Sequence, residues 1–126
     1  MNYKTIKYEL NWDSYTSHRC IMLADSGEVI GEYSIQIPLY SDPYSDLYSY
    51  PVLVGFYIIP QFRGKGLSYH LLDDVFRLSY SLGLSELWLK VRKNNLPAIR
   101  LYMDKGFILD SDDEDSNYQW MLKKFI

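Results

Sequence analysis

From Val52 to Ile59 the chain is an almost unbroken apolar run, which then passes through Gln61-Phe62-Arg63-Gly64-Lys65-Gly66-Leu67-Ser68 into apolar residues at helical spacing. A strand that turns through two glycines into a helix restricts what the chain can build. The glycines allow successive N–H groups to point into one concavity, and the helix adds roughly half a positive charge at its first turn. Such a turn can seat a pyrophosphate; read alone, it is also an ordinary strand-to-helix connection. Two nucleotide motifs are excluded. The Walker pattern occurs nowhere, and a dinucleotide fingerprint would need a third glycine where Tyr69 stands.

The helix is set by Leu71, Leu72, Val75, Phe76, Leu78 and Leu82, and Gly83 is placed to end it. His70 falls with Asp74, Arg77 and Ser81 on its polar face, and surface exposure is the simplest reading of His70. Leu87, Leu89 and Val91 then alternate with Glu86, Trp88, Lys90 and Arg92 at the period of a strand. Asn95 can cap a second helix that has Pro97 in its first turn and Gly106 just past its end.

Upstream, Ile6 to Trp12 alternates weakly, and Arg19 to Ala24 with Glu28 to Ile37 reads as a hairpin closed at Asp25-Ser26-Gly27. Pro38 to Pro51 is turn chemistry carrying Tyr40, Tyr44, Tyr48 and Tyr50, an aromatic surface suited to a protein interface such as a homodimer. Downstream, Asp110-Ser111-Asp112-Asp113-Glu114-Asp115 reads as a solvated hairpin loop, with attraction of a cationic acceptor as the lesser alternative, before a closing strand from Tyr118 to Phe125. This order fits an α+β (mixed α/β) layered domain with a mostly antiparallel sheet.

With 126 residues, 48% of them hydrophobic, the expectation is a single domain over 1–126. A net charge of -3 argues against nucleic acid as a main partner. Lone Cys20 excludes an intramolecular disulfide and fits a reducing compartment. No signal peptide or membrane-length apolar run is visible, so the expectation is a soluble, cytoplasmic protein. His18 and Cys20 would share a strand face, which raises a thiol–imidazole pair, although the chain offers no third orienting group. No Cys/His spacing supports a metal site.

Ile58-Ile59-Pro60-Gln61-Phe62-Arg63-Gly64-Lys65-Gly66 resembles the Val/Ile-x-Pro and Gln-x-x-Gly-x-Gly signature of the GNAT superfamily of N-acetyltransferases. The segment from Leu89 to Phe107 resembles that family's other signature, Leu-x-Val-x-x-x-Asn-x-x-Ala-x-x-Leu-Tyr-x-x-x-Gly-Phe, with every defining position filled. The resemblance implies a sheet in which the strands at Val52 to Ile59 and Glu86 to Arg92 run parallel and splay apart to admit acetyl-CoA. It implies main-chain binding of the pyrophosphate across Arg63, Gly64, Lys65, Gly66, Leu67 and Ser68, and main-chain contacts from Ile58 and Ile59 to the pantetheine arm and acetyl carbonyl. Asn95 is a helix cap and a second candidate partner of that arm. Tyr102 holds the position of the family's acid for the coenzyme A sulfur.

The expected activity is therefore direct, metal-free acetyl transfer from acetyl-CoA to an amine on a protein, peptide or small molecule. The alternative is a non-catalytic acyl-CoA-binding sensor or protein-interaction module. A general base stays open: the strand from Val52 to Tyr57 holds no carboxylate, Glu32 on the preceding strand is the best candidate, and water or Tyr57 would also serve. The chain departs from the resemblance in one respect. Most members carry two helices between their first two strands, whereas only about Asp13 to His18 intervenes here. That reduced N-terminal helical region implies an open acceptor site or one completed by another subunit.

Overall fold

A strand covered on both edges, followed by a helix and a second strand of the same sense, needs a long crossover between the two. The computed structural model, which describes residues 2–39, 50–112 and 116–125, shows that crossover at the glycine turn. Strand β4 (Val52–Ile58) leads into helix α1 (Leu67–Ser81) and on to β5 (Glu86–Arg92), which lies parallel to β4. Every other neighbouring pair is antiparallel: β1 (Tyr3–Asn11), β2 (Tyr15–Ala24) and β3 (Val29–Pro38) lead up to β4, and β7 (Tyr118–Lys124) with β6 (Ile108–Asp112) continue from β5. The sheet order is β1-β2-β3-β4-β5-β7-β6, and α2 (Leu96–Asp104) connects β5 to β6.

Strand alternation decides which residues meet the helices. Leu71, Leu72 and Val75 of α1 are fully buried, and their core includes Cys20, Met22, Tyr33 and Ile35 of the N-terminal strands with Leu87, Leu89 and Met121 of the C-terminal ones. Each such leucine contributes about 1.5–3 kcal/mol by leaving water. Helix α2 lies beside α1, joined by the Lys105–Asp73 ion pair at 2.9 Å and the Phe76–Phe107 ring contact. On β1, Lys7 reaches Asp74 of α1, so Ile6, Tyr8 and Leu10 point the other way and are 47%, 37% and 40% exposed. Among the described residues no helix is long and apolar enough to cross a membrane.

Three sequence expectations change. Strand β2 begins at Tyr15 rather than near Arg19, so only Trp12, Asp13 and Ser14 separate it from β1; the turn closes through Trp12 N–H to the Tyr15 carbonyl at 2.9 Å and a Trp12–Tyr15 ring stack. Part of the expected acidic loop is strand: β6 runs into Asp112, pairing with β7, although Ile108 and Leu109 are exposed and leave no alternation to signal it. Asp74 is not a solvent-facing helix residue. Only 5% exposed, it accepts hydrogen bonds from Tyr33 Oη (2.7 Å), Lys7 Nζ (3.1 Å), Cys20 Sγ (3.4 Å) and Arg77 (3.4 Å). His70 is exposed as expected, its ring tilted against Tyr3. Of the tyrosine-rich stretch, Tyr40, Tyr44 and Tyr48 lie outside the described residues; Tyr50 stacks on Trp88 with centroids 4.4 Å apart.

Candidate active site

Strands β4 and β5 are joined only at Val52↔Trp88 and Leu53↔Leu89, although β3 stays paired with β4 as far as Ile58 and β7 with β5 as far as Arg92. The cause is local. Between Ser34↔Val54 and Glu32↔Tyr57, β4 carries one residue more than β3, and within that bulge Gly55 has φ +64°, a left-handed conformation glycine adopts without a Cβ clash. The bulge bends β4 while β7 holds β5, and a wedge opens between the parallel strands. It is a cleft of about 1140 Å³, lined by Val52 to Ile58 of β4, Leu89 to Arg92 of β5, Arg63 and Ser68 at the α1 entrance, and Asn95 to Ala98 with Arg100 to Tyr102 at α2. Ordinary small-molecule pockets are roughly 300–1,000 Å³, so the cleft is of a size for one large ligand.

At the entrance, a short turn over Pro60–Phe62 leads to Gly64 (φ +77°) and Gly66 (φ +76°), and Gly66 caps α1 without any side chain. The first N–H groups of this 15-residue helix therefore face outward with no capping oxygen. Arg63 donates from Nε to the Ile58 carbonyl at 2.9 Å and lies over the Tyr57 ring, while the Lys65 ammonium lies over Phe62. Leu67 packs into the core and places its side chain away from any ligand. The structure offers little main chain at Ile59: its N–H donates to the Ile30 carbonyl (2.8 Å) and its carbonyl accepts from Phe62 N–H (2.9 Å). With the Ile58 carbonyl held by Arg63, the lining main chain falls instead to Gly55, Phe56 and Tyr57.

A Cβ at Gly66 would meet no atom within 4 Å, so replacing it acts through the backbone. The left-handed conformation costs an ordinary residue roughly 1–2 kcal/mol, and relaxing it turns N–H groups out of the nest. Gly66→Ala is expected to weaken acetyl-CoA binding by about tenfold while the folded protein persists, which calorimetric titration beside a thermal melt would check.

Helix α2 begins where the Asn95 side chain accepts the Ala98 N–H at 3.3 Å, with Pro97 in the first turn. One and a half turns on, Tyr102 enters the cleft wall, 8% exposed, with its ring near-perpendicular to Phe56 and Phe107 at 6.0 and 5.6 Å between centroids. Its hydroxyl has no hydrogen-bond partner among the described residues, and burial pushes the phenol up to about 12. A group in that state keeps its proton at neutral pH and can direct it at negative charge that develops in the cleft.

A splayed parallel pair, a glycine nest at a helix start and a buried tyrosine on the next helix are thus one arrangement, and the chain matches the Acetyltransferase (GNAT) family over residues 2–107. The chain belongs to the GNAT acetyltransferase family. Acetyl-CoA is accordingly the acyl donor, and the protein is an acetyl-CoA-dependent acyltransferase. Solved structures share the fold. A GNAT acetyltransferase from Elizabethkingia anophelis with acetyl-CoA bound is 12% identical with a TM-score of 0.72, covering 98% of this chain and 99% of that one. The PaiA N-acetyltransferase of Thermoplasma acidophilum, in complex with coenzyme A, is 22% identical with a TM-score of 0.68, covering 85% of this chain and 60% of that one. An IAA acetyltransferase from Bacillus cereus is 17% identical with a TM-score of 0.68, covering 86% and 78%. None of the curated proteins matches the chain in sequence.

Other expected groups of this GNAT acetyltransferase are not brought to the cleft. Glu32 sits one strand away, opposite Tyr57, with its carboxylate on Arg19 at 2.8 Å; it does not line the cleft. His18 and Cys20 do share a face, but the His18 ring leans on Glu9 and the fully buried Cys20 thiol donates to Asp74. Burial, with the Asp74 charge beside it, pushes that thiol up to about 12, which removes it as a nucleophile. Among the described residues no three His, Cys, Asp or Glu side chains are grouped to hold a metal ion. Lys90, Arg92, Tyr118 and Trp120 do line the cleft and were not singled out as a site from the sequence. The signal was present for the first two, which alternate with Leu89 and Val91 on β5 and so face away from the core.

Proposed function

We propose that this GNAT acetyltransferase moves the acetyl group of acetyl-CoA directly to an amine, with the nest from Arg63 to Ser68 holding the pyrophosphate and Tyr102 protonating the departing thiolate. The observation that carries this reading is the buried Tyr102 phenol, without a hydrogen-bond partner among the described residues and lining the cleft between β4 and β5. In direct transfer the amine nitrogen attacks the thioester carbonyl, the tetrahedral intermediate collapses, the C–S bond breaks and the sulfur takes the phenolic proton. The nitrogen loses its extra proton to solvent, which later restores Tyr102.

Solvent is assigned that role because, among the described residues, the cleft lining contains no Asp, Glu or His. The acceptor must then arrive as the neutral amine. For two acceptors of different basicity, log(kcat/KM) is expected to rise with unit slope and to level at each amine's own pKa. A plateau at one fixed pH for both would assign a protein base instead. The activity itself is tested by calorimetric titration with acetyl-CoA and desulfo-CoA, alongside thiol release over a panel of amines and peptides. Amine-dependent release establishes the transferase; binding without release from any acceptor supports a sensor.

A further inference from the structure

We propose that the sheet face opposite the helices carries an acceptor subsite for an anionic group, formed by Lys90 and Arg92 against Tyr118 and Trp120. The inference rests on acetyl transfer to an amine and adds the class of acceptor.

Leu87, Leu89 and Val91 enter the core, so Lys90 and Arg92 emerge on the other face of β5. Their direct neighbours on β7 are Trp120 and Tyr118, respectively. The Lys90 ammonium lies 4.8 Å from the Tyr118 ring centroid and 6.0 Å from that of Trp120, and the Arg92 guanidinium lies 5.0 Å from Tyr118. Rings hold both cations on one side and leave their remaining N–H donors for a ligand. Neither has a carboxylate partner among the described residues, and both line the cleft.

Among the described residues the cleft holds four cations, Arg63, Lys90, Arg92 and Arg100, and no carboxylate, on a chain whose net charge is -3. Arg63 stands at the pyrophosphate nest and Arg100 on α2, so both belong to the helix side, where the cofactor's phosphates supply counter-charge. Among the described residues Lys90 and Arg92 remain uncompensated on the opposite face, the side that the phosphate-binding nest leaves to the second reactant. A carboxylate or phosphoryl group on the acceptor matches them by charge-assisted, bidentate hydrogen bonding. A polyamine would be repelled. The same two cations also favour the neutral form of a nearby amine, which is the form that attacks. The acidic stretch after Leu109 had weakly favoured a cationic acceptor; the charges within the cleft favour the reverse.

The test is thiol release from acetyl-CoA with paired acceptors: L-phenylalanine against its amide, O-phosphoethanolamine against ethanolamine, and spermidine as polycation, each rate expressed per neutral amine. The charged member of at least one pair is expected to lead in kcat/KM by about tenfold or more, and the pair that does so names the anion. Lys90→Gln and Arg92→Gln should erase that preference with acetyl-CoA affinity unchanged in calorimetry, and Arg92→Glu should shift preference toward spermidine. A lead for the amide, ethanolamine or spermidine in the unmodified protein overturns the subsite, as does a loss of acetyl-CoA affinity in the glutamine variants, which would give these cations to the cofactor. Absence of acetyl-CoA binding would instead remove the transferase reading beneath it.

Discussion

Replacing Tyr102 by phenylalanine is expected to lower kcat by about 10²–10⁴-fold, the range of a lost general acid, while acetyl-CoA affinity and thermal stability stay as they are. The stability half of this expectation separates a chemical role from a packing role. The ring is held by Phe56 and Phe107, and phenylalanine keeps those contacts. The hydroxyl has no partner among the described residues, so its removal leaves no buried donor stranded. A tyrosine present only for packing would therefore show no rate effect, and one that anchored the fold would lower the melting temperature. Because burial raises the phenol to about 12, its deprotonation adds no falling limb to the rate profile below about pH 10. Between about pH 10 and 12 the folded protein holds the Tyr102 proton that the unfolded chain has lost, so stability declines from about pH 10 upward and not below. Single-turnover kinetics with the best acceptor, beside a melt of both proteins, reads rate and stability together.

Asp74→Ala is expected to destabilise the protein by about 3 kcal/mol, lowering the melting temperature by roughly 10 °C, although Asp74 lies outside the cleft lining. The carboxylate ties three N-terminal strands to α1: Lys7 on β1, Cys20 on β2 and Tyr33 on β3 all donate to it. Lys7 and Arg77 can turn to water when it is removed, being 37% and 66% exposed, but the Tyr33 hydroxyl is left buried without an acceptor. Burial pushes Asp74 upward, yet the hydrogen bonds from Tyr33, Lys7 and Cys20 outweigh it and hold the carboxyl below its ordinary 3.8. The unfolded chain therefore takes up this proton first as pH falls. The contribution of Asp74 is complete above about pH 4 and is lost as pH drops through its lower folded value. Chemical denaturation at pH 7 and near pH 3 should show a smaller gap between wild type and Asp74→Ala at the acidic value; an equal gap would remove the charge from the account.

The backbone of the glycine turn and the bounds of α2 were legible because they are written locally. A glycine-x-glycine turn after an apolar strand fixes backbone geometry within a few residues, and Asn95, Pro97 and Gly106 bound α2 by capping rules that act over one turn. Ile59 was less legible, since the sequence does not show that Ile30 and Phe62 occupy its main-chain groups. Glu32 looked like a base because it lies on a strand beside β4; which charge it would meet depended on Arg19 standing across the β2–β3 register.

The sequence by itself determined the strand–nest–helix–strand order, the cap and end of each helix, and the tyrosine position on α2, because propensity, capping and period act between near neighbours. Only the tertiary structure decided where β4 and β5 part, that Asp74 is buried, and that Lys90 and Arg92 share the cleft wall with Tyr118 and Trp120. Each depends on residues distant in the chain meeting through sheet register and helix packing. The burial and charge of a side chain are set by those neighbours, and a linear pattern does not contain them.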